Sequence, residues 1–472
     1  MEILTADQMY SADKECHAKI MPEIQLMENA GFAAACQISK NYRKAPVLVL
    51  CGTGNNGGDG FVVARILQQW GWPVEVALAG NEKKLSAGAR TNAEKFHGIK
   101  RQMSFKRLKL LNKTGGLIVD AVFGIGLSRP VHSDIADFFN AFNETDLPCV
   151  ALDIPSGIHA DTGEVLETAP FCDMTITFCR PKIGHFLYPG KEYAGRLVVC
   201  PIGIPDEIVR HTGVSLYENT PGLFALPDAT PYDHKYSRGA VLIRAGKMTG
   251  AARLAALACR RAGAGLTAVS CSTQAYPVFA ADTAGTVLQT ADTAEVFAGQ
   301  ITSDKISAAV IGMGADKEDD TKAFLHLIAN TGKPFVADAG ALPFIKGIRK
   351  RANAVITPHS GEFNLLFPEL KGENRLFQAL TAAKALGCTV VLKGADTIIA
   401  SPQGKAAINS TNCFDLATAG SGDVLDGIIG AMLAKGLPPF EAACAGVWLH
   451  SRAAEKAGEN LIAEDIIACL KG

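Results

Sequence analysis

Short apolar runs alternate with stretches of helical spacing along most of this chain. In its first half, Val47–Cys51, Val74–Ala79, Leu117–Val122, Cys149–Asp153, Thr175–Phe178 and Leu197–Cys200 predict strands. Between them, Phe61–Trp70 and Ile135–Phe142 predict helices. Thr5-Ala6-Asp7-Gln8 matches a capping box, whose side chains satisfy free backbone N–H groups, so another helix is predicted to start near Thr5. Strands joined by crossover helices argue for a mostly parallel sheet covered on both faces.

The rhythm breaks from about Ile204 to Tyr236, where Pro205, Pro221, Pro227 and Pro231 punctuate a polar stretch. It then restarts. Ala240–Ala245, Leu266–Cys271, Ala308–Ile311, Phe335–Asp338, Val355–Thr357 and Val390–Lys393 predict strands. Ala251–Ala262, rich in Ala, Leu and Arg, predicts a helix ended by Gly263. One core seldom grows beyond about 250–300 residues, so this chain of 472 residues is expected to carry two. The expected class is α/β with two domains, 1–215 and 225–472.

Composition narrows the function classes. Hydrophobic residues make up 48% and charged residues 20%, as in a soluble globular chain. A formal net charge of -1 offers no basic surface, so neither nucleic acid nor an anionic membrane is an expected partner. No apolar run reaches the roughly 18–20 residues of a membrane span. Met1–Cys16 carries acids and no apolar signal-peptide core. Thirteen cysteines with no C-x-x-C or H-E-x-x-H spacing argue against a disulfide scaffold or a zinc site. Reduced core thiols in the cytoplasm are expected instead. Asn143-Glu144-Thr145 and Asn409-Ser410-Thr411 match a glycosylation sequon, a pattern short enough to arise by chance.

Candidate chemistry starts at Gly52-Thr53-Gly54-Asn55-Asn56-Gly57-Gly58-Asp59-Gly60, between a strand and a helix. Five glycines in nine residues carry too much chain entropy for a plain turn. The G-x-G-x-x-G within them suggests backbone amides cradling a phosphate at a helix N-terminus. An ordinary dehydrogenase is disfavoured, because the next strand, Pro73–Gly80, ends without an acid for a ribose, and two Asn and an Asp crowd the loop. Three more polar clusters end strands: Asp120 before Gly124-Ile125-Gly126-Leu127, Asp153 before Ile154-Pro155-Ser156-Gly157, and Lys182 in Arg180-Pro181-Lys182-Ile183-Gly184. Alone, each acid would read as a helix cap; together at strand ends they fall where open α/β sheets bind ligands.

In this order the motifs GNNGGDG, VDAVFGIG, LDIPSGI and PKIG resemble the NAD(P)H-hydrate epimerase (YjeF N-terminal) family over roughly the first 210 residues. The resemblance implies a Rossmann-like three-layer sandwich. It implies that Asn55, Asn56, Gly57, Gly58 and Asp59, with Gly124, Ile125, Gly126, Leu127, Ser128, Arg129 and Pro130, line the substrate. Asn56, Asp120 and Ser156 would coordinate K+, oxygen donors suiting a hard cation. Asp153 would sit by the hydrated ring carbon as general acid/base, with Lys182 holding it ionised or helping to shuttle the proton. Ile125 stands where the family usually has Thr.

The second half lacks G-x-x-x-x-G-K-[ST], so it is not a P-loop protein. Its best phosphate cradle is Ala417-Thr418-Ala419-Gly420-Ser421-Gly422-Asp423, followed by an apolar helix, Val424–Ala434. Asp423 is placed to take a proton from an acceptor hydroxyl; a plain N-cap is the bland alternative. Lys393-Gly394-Ala395-Asp396-Thr397 and Thr357-Pro358-His359-Ser360-Gly361-Glu362 end two further strands, and His359 with Glu362 suggests a pair in the substrate and metal shell.

HKYSRGAVLIRAGK, GAARLAALACRRAGAGL, IGMG, TPHSGEF, VLKGADTII and ATAGSGDVLDGII resemble the ADP/ATP-dependent NAD(P)H-hydrate dehydratase family of ribokinase-like fold. The resemblance implies that Lys393, Gly394, Ala395, Asp396, Thr397 and Gly422 bind ADP or ATP, with Mg2+ on its phosphates. It also implies that Ala252, Gly314, His359 and Asp423 hold the hydrated cofactor. Gly340 and Ser360 replace a usual Asp and Pro, and Phe414-Asp415 occupy a usually less acidic place. NADHX and NADPHX are the implied substrates, and a cytoplasmic homo-oligomer is the expected form. Two alternatives stand beside this: a ribokinase-type small-molecule kinase fused to a nucleotide-binding domain, and a non-catalytic sensing module.

Overall fold

The computed structural model describes residues 1–281, 284–315, 319–411 and 413–470. Lys471 and Gly472, at the end of the expected second domain, lie outside them. The chain divides into two compact units between Val214 and Ser215, inside the proline-punctuated stretch.

The strands of the first unit are β1 (Glu2–Ile3), β2 (Val47–Cys51), β3 (Val74–Leu78), β4 (Ile99–Gln102), β5 (Leu117–Ala121), β6 (Cys149–Leu152), β7 (Met174–Phe178) and β8 (Arg196–Cys200). Seven of them form a parallel sheet in the order β4-β3-β2-β5-β6-β7-β8. Alternate residues face opposite layers. Val47, Val49, Cys51, Val119 and Leu152 pack with the helices α1 (Ala6–Lys19), α2 (Glu23–Asn41) and α3 (Asn55–Gln69). Leu48, Leu50, Ile118 and Ala151 pack with Phe138, Phe139 and Phe142 on the other side. The result is a three-layer sandwich whose strand order reverses between β2 and β5, the place where such sheets open a crevice.

Local chemistry explains the start of α1. Thr5 and Gln8 form the predicted capping box, Gln8 N donating to Thr5 Oγ1 (3.1 Å) and Thr5 N to Gln8 Oε1 (3.0 Å). The helix expected from Phe61 begins earlier, at Asn55, because the glycines continue the helix where they had read as loop. The pattern did not predict α2, nor β4, an exposed edge strand of sequence IKRQ without apolar alternation.

The second unit has β9 (Leu216–Glu218), β10 (Ala240–Arg244), β11 (Leu266–Cys271), β12 (Val287–Thr290), β13 (Ala308–Ile311), β14 (Phe335–Ala337), β15 (Ala354–Ile356), β16 (Thr389–Leu392), β17 (Ile398–Ala400) and β18 (Ala406–Ile408). Their order is β9-β18-β17-β16-β15-β14-β13-β10-β11-β12. Among the described strands of this unit, only β17 runs antiparallel to its neighbours. The order reverses between β10 and β13, so the loops after these strands flank a second crevice. The pattern did not predict β9, β12, β17 and β18, each three or four residues long. Among the described residues, no helix is long and apolar enough to cross a membrane.

Candidate active sites

The glycine loop of the first unit is built for close packing. A Cβ on Gly52 would lie 1.9 Å from Val122 O, on Gly57 2.0 Å from Gly52 O, and on Gly58 2.5 Å from Met27 Sδ. Gly57 and Gly58 are buried, which leaves Asn55, Asn56 and Asp59 as the side chains the start of α3 presents. These three line a cavity of about 860 Å³, joined by Gly124, Ile125, Gly126, Leu127, Ser128 and Arg129. Gly57, Gly58 and Pro130, expected beside them, are not part of that lining.

Asp153 and Lys182 meet in the same cavity. Asp153 follows β6 with φ 64, a conformation uncommon outside glycine, and its N–H donates to Ile176 O (2.8 Å). Lys182 Nζ donates to Asp153 Oδ1 (2.6 Å), Thr177 Oγ1 (2.9 Å) and Phe178 O (3.2 Å). The lysine is 1% exposed and the aspartate 14%. Burial pushes the Asp153 carboxyl upward, but the Lys182 charge and hydrogen bond outweigh it, and the group titrates below its ordinary range. Asp153 is therefore ionised. His185, absent from the sequence reading, completes the arrangement. Its Nδ1 accepts from Lys182 N (3.0 Å) and its Nε2 lies 2.9 Å from Asp153 O, so the ring bridges both residues' backbones. Burial, then the Lys182 charge, hold it down at about 4, as a neutral imidazole.

Asp120, Ser156 and Asn56 also converge. Asp120 Oδ1 accepts from Ser156 Oγ (2.7 Å) and Val122 N (3.2 Å), and Oδ2 from Ser156 N (2.7 Å). Asn56 Nδ2 donates to Phe123 O (2.9 Å), while its Oδ1 is buried with no hydrogen-bond partner among the described residues. Asp120 is fully buried without an ion pair there, and burial raises it to about 6. A buried carboxylate beside an orphaned amide oxygen and a hydroxyl is an oxygen-only set lacking a positive charge, which a monovalent cation would fit.

The cavity's remaining wall escaped the sequence reading. Leu4 N donates to Pro181 O (3.0 Å), next to Lys182, and Ala6 N donates to Asp161 Oδ1 (2.7 Å). These contacts seat α1, whose Tyr10, Asp13, Lys14 and His17 line the cavity. Their helical spacing was the available signal, a polar stripe on one face. Burial raises Asp13 to about 7 and lifts Asp59 well above its ordinary value.

In the second unit, the helix Ser421–Ala434 starts from Gly420 at φ 87, where a Cβ would strike Leu254 Cδ1 at 2.5 Å. Asp423 stands in its first turn, raised to about 6 by burial and then by the Asp338 charge, with Lys393 opposing. Lys393 Nζ pairs with Asp338 Oδ2 at 2.8 Å and lies 3.3 Å from where a Gly422 Cβ would be. The lysine expected on the nucleotide is thus already held beneath the glycine turn.

A second buried acid, Asp426, accepts from Thr357 Oγ1 (2.8 Å) and hydrogen-bonds Asp338. Among the described residues, Asp426 Oδ2 and Asp338 Oδ1 otherwise have no partner, and Asp426 titrates well above its ordinary value through burial and the Asp338 charge. One shared proton satisfies both. Asp426→Asn, which keeps a donor for Asp338, is expected to unfold like the parent. Asp426→Ala should cost about 1–3 kcal/mol in urea titration, the cost of an orphaned buried polar group. Equal losses in the two variants would contradict the shared proton.

The other expected residues are placed as follows. His359 caps the helix Ser360–Leu366, its Nδ1 accepting from Gly361 N (3.0 Å) while Glu362 Oε2 accepts from His359 N (3.0 Å). Asp396 is buried against Arg375 (2.7 Å), a partner the sequence did not suggest. Thr397 Oγ1 closes the loop on Gly394 O (2.8 Å), leaving Gly394 and Ala395 exposed. Ala252 is fully buried, and Gly314 at φ 65 packs against Met248 and Gly246. The three departures fit locally. A Cβ on Gly340 would lie 2.4 Å from Ala315 O, Ser360 Oγ accepts from Arg375 Nη1 (2.9 Å), and Asp415 Oδ1 accepts from Asn460 N (3.2 Å).

The geometry defines a two-site α/β chain: a Rossmann-like unit with an acid–lysine pair over a cavity, and a ribokinase-like unit with a carboxylate on a glycine-capped helix. Residues 23–184 match the family model of the YjeF-related protein N-terminus, and 241–469 match that of NAD(P)H-hydrate dehydratase. The chain is 34% identical to the bifunctional NAD(P)H-hydrate repair enzyme Nnr of Moorella thermoacetica, over 98% of this chain and 93% of that protein. It is 34% identical to the same enzyme of Coxiella burnetii, over 95% and 94%. A ribokinase-like superfamily protein from Enterococcus faecalis shares the fold of the second unit, with TM-score 0.50, 22% identity, and 54% of this chain and 94% of that one covered. This chain belongs to the family of bifunctional NAD(P)H-hydrate repair enzymes.

Proposed function

We propose that this chain repairs hydrated NAD(P)H. Residues 1–215 interconvert the R and S forms of NADHX and NADPHX, and residues 225–472 dehydrate the S form at the expense of ADP or ATP. The likeness to repair enzymes over nearly the whole chain carries the reading. The Asp153–Lys182 pair facing a cavity of about 860 Å³ supports it in the first unit. Epimerisation needs the C6 hydroxyl to leave and return on the opposite face, or the ring to open and close, and either route calls for a general acid/base.

In the second unit Asp423 takes the proton of the C6 hydroxyl as the nucleotide's terminal phosphoryl group is transferred to it. Phosphate then leaves, driven by the ring-nitrogen lone pair, a better leaving group than hydroxide. Lys393 and the Gly420–Gly422 turn supply positive charge and N–H donors for the phosphoryl oxygens. Among the described residues, no three His, Cys, Asp or Glu side chains are grouped to hold a metal. Mg2+ in phosphoryl transfer is bound largely by phosphate and water, so we propose that it enters with the nucleotide. Thirteen unbridged cysteines support a cytoplasmic setting.

Recovery of NADH absorbance from a mixture of hydrates, with and without nucleotide, tests the reading. Full recovery is expected from the whole chain with nucleotide, partial recovery from residues 215–472, which keep β9 and Phe224 with their sheet and core, and epimer exchange alone from 1–214. No recovery with either nucleotide would sink it.

We further propose that Asn56, Asp120 and Ser156 hold K+, whose charge offsets the buried Asp120. Replacing K+ by choline is expected to lower both the thermal midpoint of the first unit and its epimerase rate. Asp120→Asn should remove that sensitivity. A choline buffer without effect on either would argue against the site.

A further inference from the structure

Epimerisation calls for a proton donor as well as a base; Asp153 can be the base, while the three N–H donors of Lys182 are taken by Asp153 Oδ1, Thr177 Oγ1 and Phe178 O. Asp153 is ionised, with Oδ1 committed to Lys182 and Thr177. Across the same cavity stands Asp13, on the face of α1 that the Leu4–Pro181 and Ala6–Asp161 contacts turn inward. We propose that Asp13 is the proton donor of the first site, an assignment resting on the epimerase reading above.

The charged groups around Asp13 come from every neighbouring element. Glu23 lies on α2, Asp59 on α3, and Asp153 and Lys182 at the ends of β6 and β7, with Lys14 and His17 on its own helix. Burial, Asp153 and Glu23 favour its protonated form and Lys182 opposes them, leaving it near 7. Two carboxyls in one cavity, one held ionised and one held protonated, are the arrangement that divides acid from base work.

The step balances without another reactant. Asp13 gives its proton to the C6 hydroxyl oxygen, and the C6–O bond breaks with its electron pair on oxygen, releasing water. The ring-nitrogen lone pair forms the C6–N double bond. Water then adds to the other face, the double-bond pair returns to nitrogen, and the proton the water sheds passes to Asp153; its return from Asp153 to Asp13 through solvent restores both carboxyls. Asp153 stabilises the cationic ring between the two events.

The test uses the full chain with separated hydrate epimers and no nucleotide. Epimerisation should fall as pH rises through about 7. Asp13→Asn is expected to lower kcat for epimerisation by about 10²–10⁴-fold with little change in KM, and to abolish the pH limb. Asp13→Glu should recover part of the rate. Dehydration of the S epimer, measured separately with nucleotide, should match the parent. Asp13→Asn at the parental rate, or with the same limb, overturns the proposal. So does a limb abolished by Asp59→Asn and retained by Asp13→Asn. A parent chain that never exchanges epimers would instead defeat the epimerase reading itself.

Discussion

Asp423→Asn is expected to slow nucleotide-dependent dehydration by about 10²–10⁴-fold, the usual loss of a general base, while epimer exchange stays at the parental rate. The asparagine keeps the shape and the first-turn position on the helix Ser421–Ala434 but cannot accept the hydroxyl proton. The pH profile supplies the second half of the test. Asp423 is raised to about 6 by burial and the Asp338 charge, so the base form is lost as pH falls through that value. Parental dehydration should therefore decline on the acid side of about 6, and the residual activity of the asparagine variant should lack that decline. A variant that dehydrates at the parental rate would leave Asp423 no role beyond a first-turn carboxylate favoured by the helix dipole.

Much of this site was legible because strand ends in a parallel sheet are marked twice, by an apolar run and by the polar residue that stops it. Asp120 and Asp153 announce themselves in this way, whereas Asp423 is marked by the glycine turn at the start of its helix. What the pattern did not reveal depends on segments distant in sequence. Asp13 enters the first site because Leu4 pairs beside Lys182, a contact spanning most of the first unit. His185 looked like an ordinary residue of a short turn until its ring bridged Lys182 and Asp153. Lys393 showed a charge near phosphate, but only the fold shows that Asp338 holds it there. Gly57 and Gly58 were read as lining the substrate, and in the structure their Cα positions pack against Gly52 and Met27, because glycine in sequence does not tell a ligand's approach from a neighbour's.

Lys182→Met is expected to abolish epimerisation and to destabilise the first unit by about 3–5 kcal/mol near neutral pH, the range seen when one partner of a buried ion pair is removed. Methionine retains most of the apolar stem, so the loss falls on the ammonium. Asp153 Oδ1, Thr177 Oγ1 and Phe178 O would each lose its hydrogen bond in a region closed to water. In the parent, Lys182 holds the folded Asp153 below its ordinary range, so the pair stabilises above that range and the benefit fades as pH falls through the depressed value. In the variant only burial and the weaker neighbours remain, and the folded carboxyl rises above its unfolded value. Its penalty then grows as pH rises through the ordinary carboxylate value of about 4. The stability gap between parent and variant should be widest near neutral pH and should narrow in acid, measured by urea unfolding of the first unit at both. A gap of equal size at both would mean that Lys182 supports the site by packing alone, and that Asp153 does not depend on it for its charge.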